Sequence, residues 1–146
     1  MKLAIGSDHR GLDLKQRVIK LVTEAGHEYK DFGAYSEASV DYPNIAEAVG
    51  KAVVSGKYDK GILICGTGIG MCIAANKVKG VRAGLALTEL MACRSRQHND
   101  ANILCLGAEN DDSELAQMVK AFLTCQFEGG RHQKRVDEMI KMENER

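Results

Sequence analysis

Eleven residues in the middle of the chain, Gly61-Ile62-Leu63-Ile64-Cys65-Gly66-Thr67-Gly68-Ile69-Gly70-Met71, leave few ways to fold. A short apolar run stops at Cys65, three glycines alternate through a turn, and helical spacing continues from Ile69 to Lys77. A strand that passes through a glycine turn straight into a helix leaves several backbone N–H groups unpaired at one point. With the positive end of the helix dipole behind them, those donors suit an anion. Cys65, at the strand's last position, lies within reach of whatever binds there.

The flanking sequence repeats the same order of strand and helix. Lys2 to Ser7 reads as a strand, and Leu12, Leu14, Val18, Ile19, Leu21 and Val22 then recur at helical spacing as far as Ala25-Gly26. His27 to Phe32 gives a second strand, and the only proline, Pro43, suits the first turn of a helix reaching Ser55-Gly56. Gly61 to Cys65 is the third strand, Arg82 to Leu87 the fourth, with a helix from Thr88 to Gln97, and Asn102 to Leu106 the fifth. Asp111-Asp112-Ser113 offers N-cap chemistry for a helix to Phe127, and a last, highly charged helix begins at Arg131 after Gly129-Gly130. Alternation of this kind means βαβ units and a parallel sheet covered on both faces. Residues 1–146 therefore read as a single three-layer α/β/α domain without repeats or linkers.

Charge narrows the partners. Twenty basic and twenty acidic residues cancel, which removes the electrostatic footprint expected of a nucleic-acid or anionic-membrane binder. No stretch approaches the ~20 apolar residues of a spanning helix, and the start, Met1 to Gly6, reads as a strand rather than a signal peptide. The five cysteines, at 65, 72, 93, 105 and 125, show neither CxxC spacing nor nearby histidine ligands. Free thiols in a reducing cytoplasm are expected, rather than disulfides or a metal site.

In parallel sheets ligands bind beyond the carboxyl ends of the strands, where neighbouring crossovers leave on opposite faces. Ser7-Asp8-His9-Arg10 follows the first strand and Cys65-Gly66-Thr67 the third. If those strands are neighbours, Asp8, His9, Cys65 and Thr67 meet in one crevice. Plainer roles are open to two of them: Cys65 as a small hydrophobe, Asp8 as a helix cap. Gln97-His98-Asn99-Asp100 can be a solvated turn, and Arg131 and Arg135, one helical turn apart, can be a solvated face with Glu138 as partner. The glycine turn lacks both the Gly-Lys-Ser/Thr ending of a nucleotide loop and GxGxxG spacing. Met71 stands where a C-x5-R phosphatase needs arginine.

Five motifs together resemble the ribose-5-phosphate isomerase type B family, which includes the allose- and galactose-6-phosphate isomerases. They are GSDHRG (6–11), DYP (41–43), ILICGTGIGM with IAANK (62–77), SRQHNDANIL (95–104) and GGRHQKR (129–135), spread in order over nearly the whole chain. The resemblance implies a Rossmann-like fold with a five-stranded parallel sheet in the order 2-1-3-5-4. It implies an aldose–ketose isomerase of a phosphorylated sugar, without metal or cofactor. It also implies a homodimer, or dimer of dimers, with active sites shared between subunits. Residue by residue, Cys65 matches the proton-shuttling base, and Thr67 with Gly66, Gly68, Ile69 and Gly70 the group that holds the enediolate. His98 matches the residue that opens the sugar ring, assisted at the hydroxyls by Asp8. His9, Arg131 and Arg135 match phosphate or sugar binders, and Asn99 and Tyr42 pocket residues.

One position departs from the pattern. Many type B isomerases carry arginine two residues beyond the glycine that ends strand five, and here Glu109 stands there. A carboxylate beside a dianion is repulsive, by ~4 kcal/mol per pair of unit charges at ~4 Å and an effective dielectric of ~20. Glu109 is therefore expected to alter substrate choice rather than remove activity. The galactose-6-phosphate branch divides its motifs between two different subunits, whereas this chain keeps Cys65, Thr67, His98, Arg131 and Arg135 together. That favours a self-sufficient homodimer. The rival reading from another class is a sugar-phosphate sensor that binds without turnover.

Overall fold

The computed structural model describes residues 1–146. Strands β1 (Lys2–Ser7), β2 (Glu28–Asp31), β3 (Lys60–Cys65), β4 (Ala83–Leu85) and β5 (Ile103–Gly107) form one sheet in the order β2-β1-β3-β5-β4. Every pairing is parallel, with Ile5 beside Ile62 and Ile62 beside Leu104 in register. Helices α1 (Leu12–Glu24), α2 (Tyr42–Val54), α3 (Ile69–Ala75), α4 (Glu89–Asn99), α5 (Leu115–Thr124) and α6 (Arg131–Asn144) complete the chain. This is the order and strand direction that the resemblance implied.

Alternation along β3 divides the interior in two. Ile62 and Ile64 join Leu3, Ile5, Val18, Leu104 and Phe122 on the α1 and α5 side. Leu63 and Cys65 join Ala4, Val49, Met71, Ile103 and Cys105 on the α2 and α3 side. Successive side chains of a strand point to opposite faces, so a strand apolar at every position needs helices on both sides. That is why Gly61 to Cys65 reads as an unbroken apolar run.

Helix α3 ends at Ala75, two residues short of the expected Lys77. The Asn76 side chain stops it: its Nδ2 donates to the carbonyls of Cys72 (2.9 Å) and Ala83 (3.0 Å), and its Oδ1 accepts from Ala83 N–H (2.9 Å). One amide thus closes α3 and aligns the start of β4. Helix α5 likewise stops at Thr124 instead of Phe127, because Cys125 turns extended. The expected cap at Asp111-Asp112-Ser113 is not used: Asp111 Oδ1 accepts from Ser113 N–H in a local turn, and α5 starts after Glu114 without a side-chain cap.

The expectation that all five cysteines are free is overturned. Cys93 on α4 and Cys125 beyond α5 are disulfide-bonded, with Cα atoms 5.5 Å apart, leaving Cys65, Cys72 and Cys105 free. The pair lies 32 residues apart in sequence and meets only because α4 and α5 pack side by side. Spacing rules built on short motifs cannot detect it, and the thiol count no longer argues for a reducing compartment. No helix is long and apolar enough to cross a membrane.

Lys15 on α1 is fully buried. Its ammonium donates to Asp31 Oδ1 at 2.9 Å and to the Ala34 carbonyl. A buried ammonium is tolerable only when so satisfied. Here it pins the segment leaving β2 against α1 at the carboxyl end of the sheet.

Candidate active site

Strands β1 and β3 are neighbours. The crossover after β1 runs through α1 on one face, and that after β3 through α3 on the other. The crevice between their carboxyl ends is therefore the topological switch point of the sheet. Asp8, buried, accepts from Arg10 N–H (3.0 Å) and Gly11 N–H (3.1 Å) through Oδ1, capping the short 3-10 turn His9–Gly11. Its own N–H donates to the Ile64 carbonyl (3.1 Å), fixing it beside β3. His9 Nδ1 accepts from Val40 N–H at 3.2 Å, which leaves Nε2 as the ring's donor.

Cys65 is only 5% exposed, and its sulfur is turned into the glycine turn, accepting from Gly68 N–H at 3.2 Å. Gly68 holds φ at +82°, a conformation that disfavours any residue with a Cβ. Thr67 Oγ1 accepts from Ile69 N–H at 3.3 Å, so this hydroxyl is placed at the start of α3. The Tyr42 ring, at the start of α2, covers Gly70, where an added Cβ would lie 2.7 Å from it. The loop after β5 is fastened to the same turn. Ala108 N–H donates to the Cys65 carbonyl (2.8 Å), Glu109 N–H to that of Gly66 (2.8 Å), and Asn110 Nδ2 to that of Thr67 (3.1 Å). Asp8, His9, Tyr42, Cys65, Thr67, Gly66 to Gly70 and Glu109 thus gather at the carboxyl ends of the strands.

The other expected residues do not join them. Helix α4 returns from the carboxyl end of β4 toward the start of β5, and its 11 residues cover ~16 Å. His98 and Asn99 close it, at the end of the sheet where Arg82 bonds to Asp100 and Asn102. Asn99 lines a cleft of about 420 Å³ there, with Asn76, Arg82, Met139, Glu143 and Arg146. Arg131 and Arg135 belong to this end as well, since the chain entering α6 is tied to α4 by Glu128 N–H donating to the Gln97 carbonyl (3.0 Å). Neither arginine forms an ion pair, and the offered partner Glu138 is not taken. The expected site residues therefore fall into two groups at opposite ends of the sheet.

Three residues in these two groups escaped the sequence reading. His132 stacks on His98 with ring centroids 4.2 Å apart and planes 10° from parallel. Glu128 Oε1 lies 3.9 Å from His98 Nε2 and 3.6 Å from His132 Nε2. The ligand atoms of this trio come within 4.8 Å of one another. The lone pairs of stacked rings, however, lie in separate, nearly parallel planes, so they do not converge on one metal ion. Burial, then the neighbouring His98 and Arg131, push the His132 imidazole below its usual pKa, against the opposing pull of Glu128. The third residue is Arg10, ion-paired with Glu109. His132 and Arg10 both lie inside motifs already noticed, but only spatial pairing reveals what they touch.

The family model described as Ribose/Galactose Isomerase matches residues 3–139. Ribose-5-phosphate isomerase B of Escherichia coli (strain K12) is 47% identical over 146 residues, 99% of this chain and 98% of the relative. Among solved structures, Clostridium thermocellum ribose-5-phosphate isomerase B superposes with a TM-score of 0.97 at 45% identity, covering 99% of both chains. Mycoplasma genitalium ribose-5-phosphate isomerase B, solved with bound ribulose-5-phosphate, superposes at 0.93 with 45% identity, covering 99% of this chain and 97% of that one. With the model spanning almost the full chain and relatives this similar along their whole length, the chain belongs to the ribose/galactose isomerase family.

Proposed function

We propose that this protein interconverts ribose 5-phosphate and ribulose 5-phosphate, with Cys65 as the base that moves a proton between C2 and C1. The observation that carries the reading is a strand-end sulfur held in a glycine turn, beside Asp8 and His9, at the switch point of the sheet. The Cys65 thiolate takes the C2 proton of the opened aldose and becomes a thiol, and the electrons left behind make a cis-enediolate. The same thiol, whose proton trades with solvent during the life of the enediolate, protonates C1 on the same face, giving the ketose and regenerating the thiolate. Thr67 and the amides of the turn stabilise the negative oxygen, a contribution of ~3 kcal/mol for each well-placed donor. His98 donates to the ring oxygen when the cyclic sugar opens, and Asp8 orients the hydroxyls. Phosphate held by His9, Arg131 and Arg135 fixes the sugar in place.

The division of residues between two ends of the sheet supports a site shared by two copies. A two-fold dimer brings the His98, Asn99, Arg131 and Arg135 end of one copy against the Cys65 turn of the other. Exposed apolar side chains of α3 (Ile69 and Ile73), of the segment after β4 (Leu87) and of the first turn of α4 (Leu90 and Met91) supply the surface for that contact. Residues 1–146 act in this scheme as one catalytic domain needing no cofactor.

Exchange of the substrate's C2 proton with solvent, followed alongside aldose-to-ketose conversion, tests the reading. Wild type should show both with ribose 5-phosphate, and Cys65→Ala neither, while still binding the sugar phosphate. Binding without exchange in wild type would instead make the protein a sensor.

A further inference from the structure

Two charged side chains at the mouth of the glycine turn have no part in the scheme above. Arg10 extends from the 3-10 turn after β1, and Glu109 from the loop after β5, and the two form an ion pair. Their side chains stay 55% and 48% exposed. The Arg10 guanidinium lies flat over Gly66: a Cβ added there would sit 2.9 Å from Nη1, 3.0 Å from Cζ and 3.3 Å from Nε. Both residues are held in place by their backbones. Arg10 N–H bonds the Asp8 carboxylate, and Glu109 N–H bonds the Gly66 carbonyl. The guanidinium therefore sits against the amide turn, next in sequence to His9, with the Glu109 carboxylate paired to it.

We propose that Arg10 is a ligand for the phosphate of the sugar phosphate, and that Glu109 is its resident counter-ion, displaced when the phosphate binds. The inference rests on reading the crevice as a sugar-phosphate site. An exposed carboxylate–guanidinium pair is weakly held. A phosphate dianion offers three acceptor oxygens and twice the charge, and it takes the planar guanidinium fork in bidentate fashion. The dianion therefore wins the exchange where a neutral sugar has nothing with which to compete. Glu109 thus acts through Arg10. It covers the cation in the empty site and lowers affinity for the phosphate by the work of its displacement, so that only strongly anionic ligands uncover the guanidinium. In this arrangement the acidic residue does not simply repel substrate, because its charge is already balanced.

Steady-state kinetics with ribose 5-phosphate, and competitive inhibition by inorganic phosphate, test this on the full-length protein. Arg10→Ala should raise KM and the phosphate inhibition constant together, by about tenfold, as expected for one lost charge-assisted bond, with kcat within about twofold. Glu109→Gln should lower both constants several-fold, and the gain should vanish in the double variant. Arg10→Lys, which keeps the charge without the fork, should fall between wild type and Arg10→Ala. Unchanged constants in Arg10→Ala, or a benefit from Glu109→Gln that survives without Arg10, would overturn the proposal. If wild type turned over no sugar phosphate yet bound inorganic phosphate in an Arg10-dependent way, the isomerase reading alone would fail. Turnover that is indifferent to Arg10 would sink only the present inference.

Discussion

Cys65 and Cys72 are both free thiols packed on the α2 and α3 side of the sheet, and their surroundings give them different chemistry. Cys65 Sγ meets a turn amide at the carboxyl edge. Cys72 Sγ lies against the Ala83 carbonyl (3.4 Å) and Asn76 Nδ2 (3.7 Å), away from that edge and half-buried. A hydrogen bond from the Cys105 thiol, with help from the Leu85 backbone and Asn76, brings the Cys72 thiol down to about 7 against the upward push of burial. A lowered pKa means thiolate accumulates as pH rises through about 7 and is lost below it. Alkylation of the native protein should therefore show a fast phase whose rate climbs through that pH and levels off above it. Cys72→Ser should remove the fast phase and leave isomerase activity intact. The slower labelling of Cys65 should abolish activity and be blocked by bound sugar phosphate. Mass-spectrometric mapping of the labelled peptides checks both; a fast phase that survives in Cys72→Ser would contradict the assignment.

Helix and strand boundaries show what a linear reading can and cannot recover. The five strands and the glycine turn were legible because continuous apolar runs and alternating glycines are local signals, and Pro43 at the first turn of α2 fell where expected. The end of α3 was not, because Asn76 halts it by bonding to Ala83, a residue on the following strand. Nor was the disulfide, whose partners meet through helix packing, or the Arg10–Glu109 pair, which joins loops nearly a hundred positions apart. Lys15 is the sharpest case, since its charge sits on the buried face of α1 among Leu14 and Val18. Its partners, Asp31 and Ala34, come from the end of β2 and the segment after it. Lys15→Ala should cost roughly 3 kcal/mol by stranding Asp31 and opening a void, and Lys15→Met, which keeps the volume, clearly less. Urea unfolding midpoints decide this, and equal midpoints for Lys15→Ala and wild type would refute the structural role given to the ammonium.

For the molecule as a unit, the decisive fact is that its expected site residues sit at both ends of one sheet. Cys65, Thr67 and Asp8 crown the carboxyl edge, while His98 and His132 stack at the opposite end, ~16 Å away along α4. No bending of a sheet packed on both faces closes that gap, so in the function proposed above a complete site takes two chains. Co-expression of a Cys65→Ala chain with a His98→Asn chain tests both the shared site and the roles of the two residues. Each homodimer should be inactive. In a mixed dimer one site inherits both substitutions and the other neither, so random pairing predicts about a quarter of the wild-type rate. A mixture as inactive as its components would contradict the account.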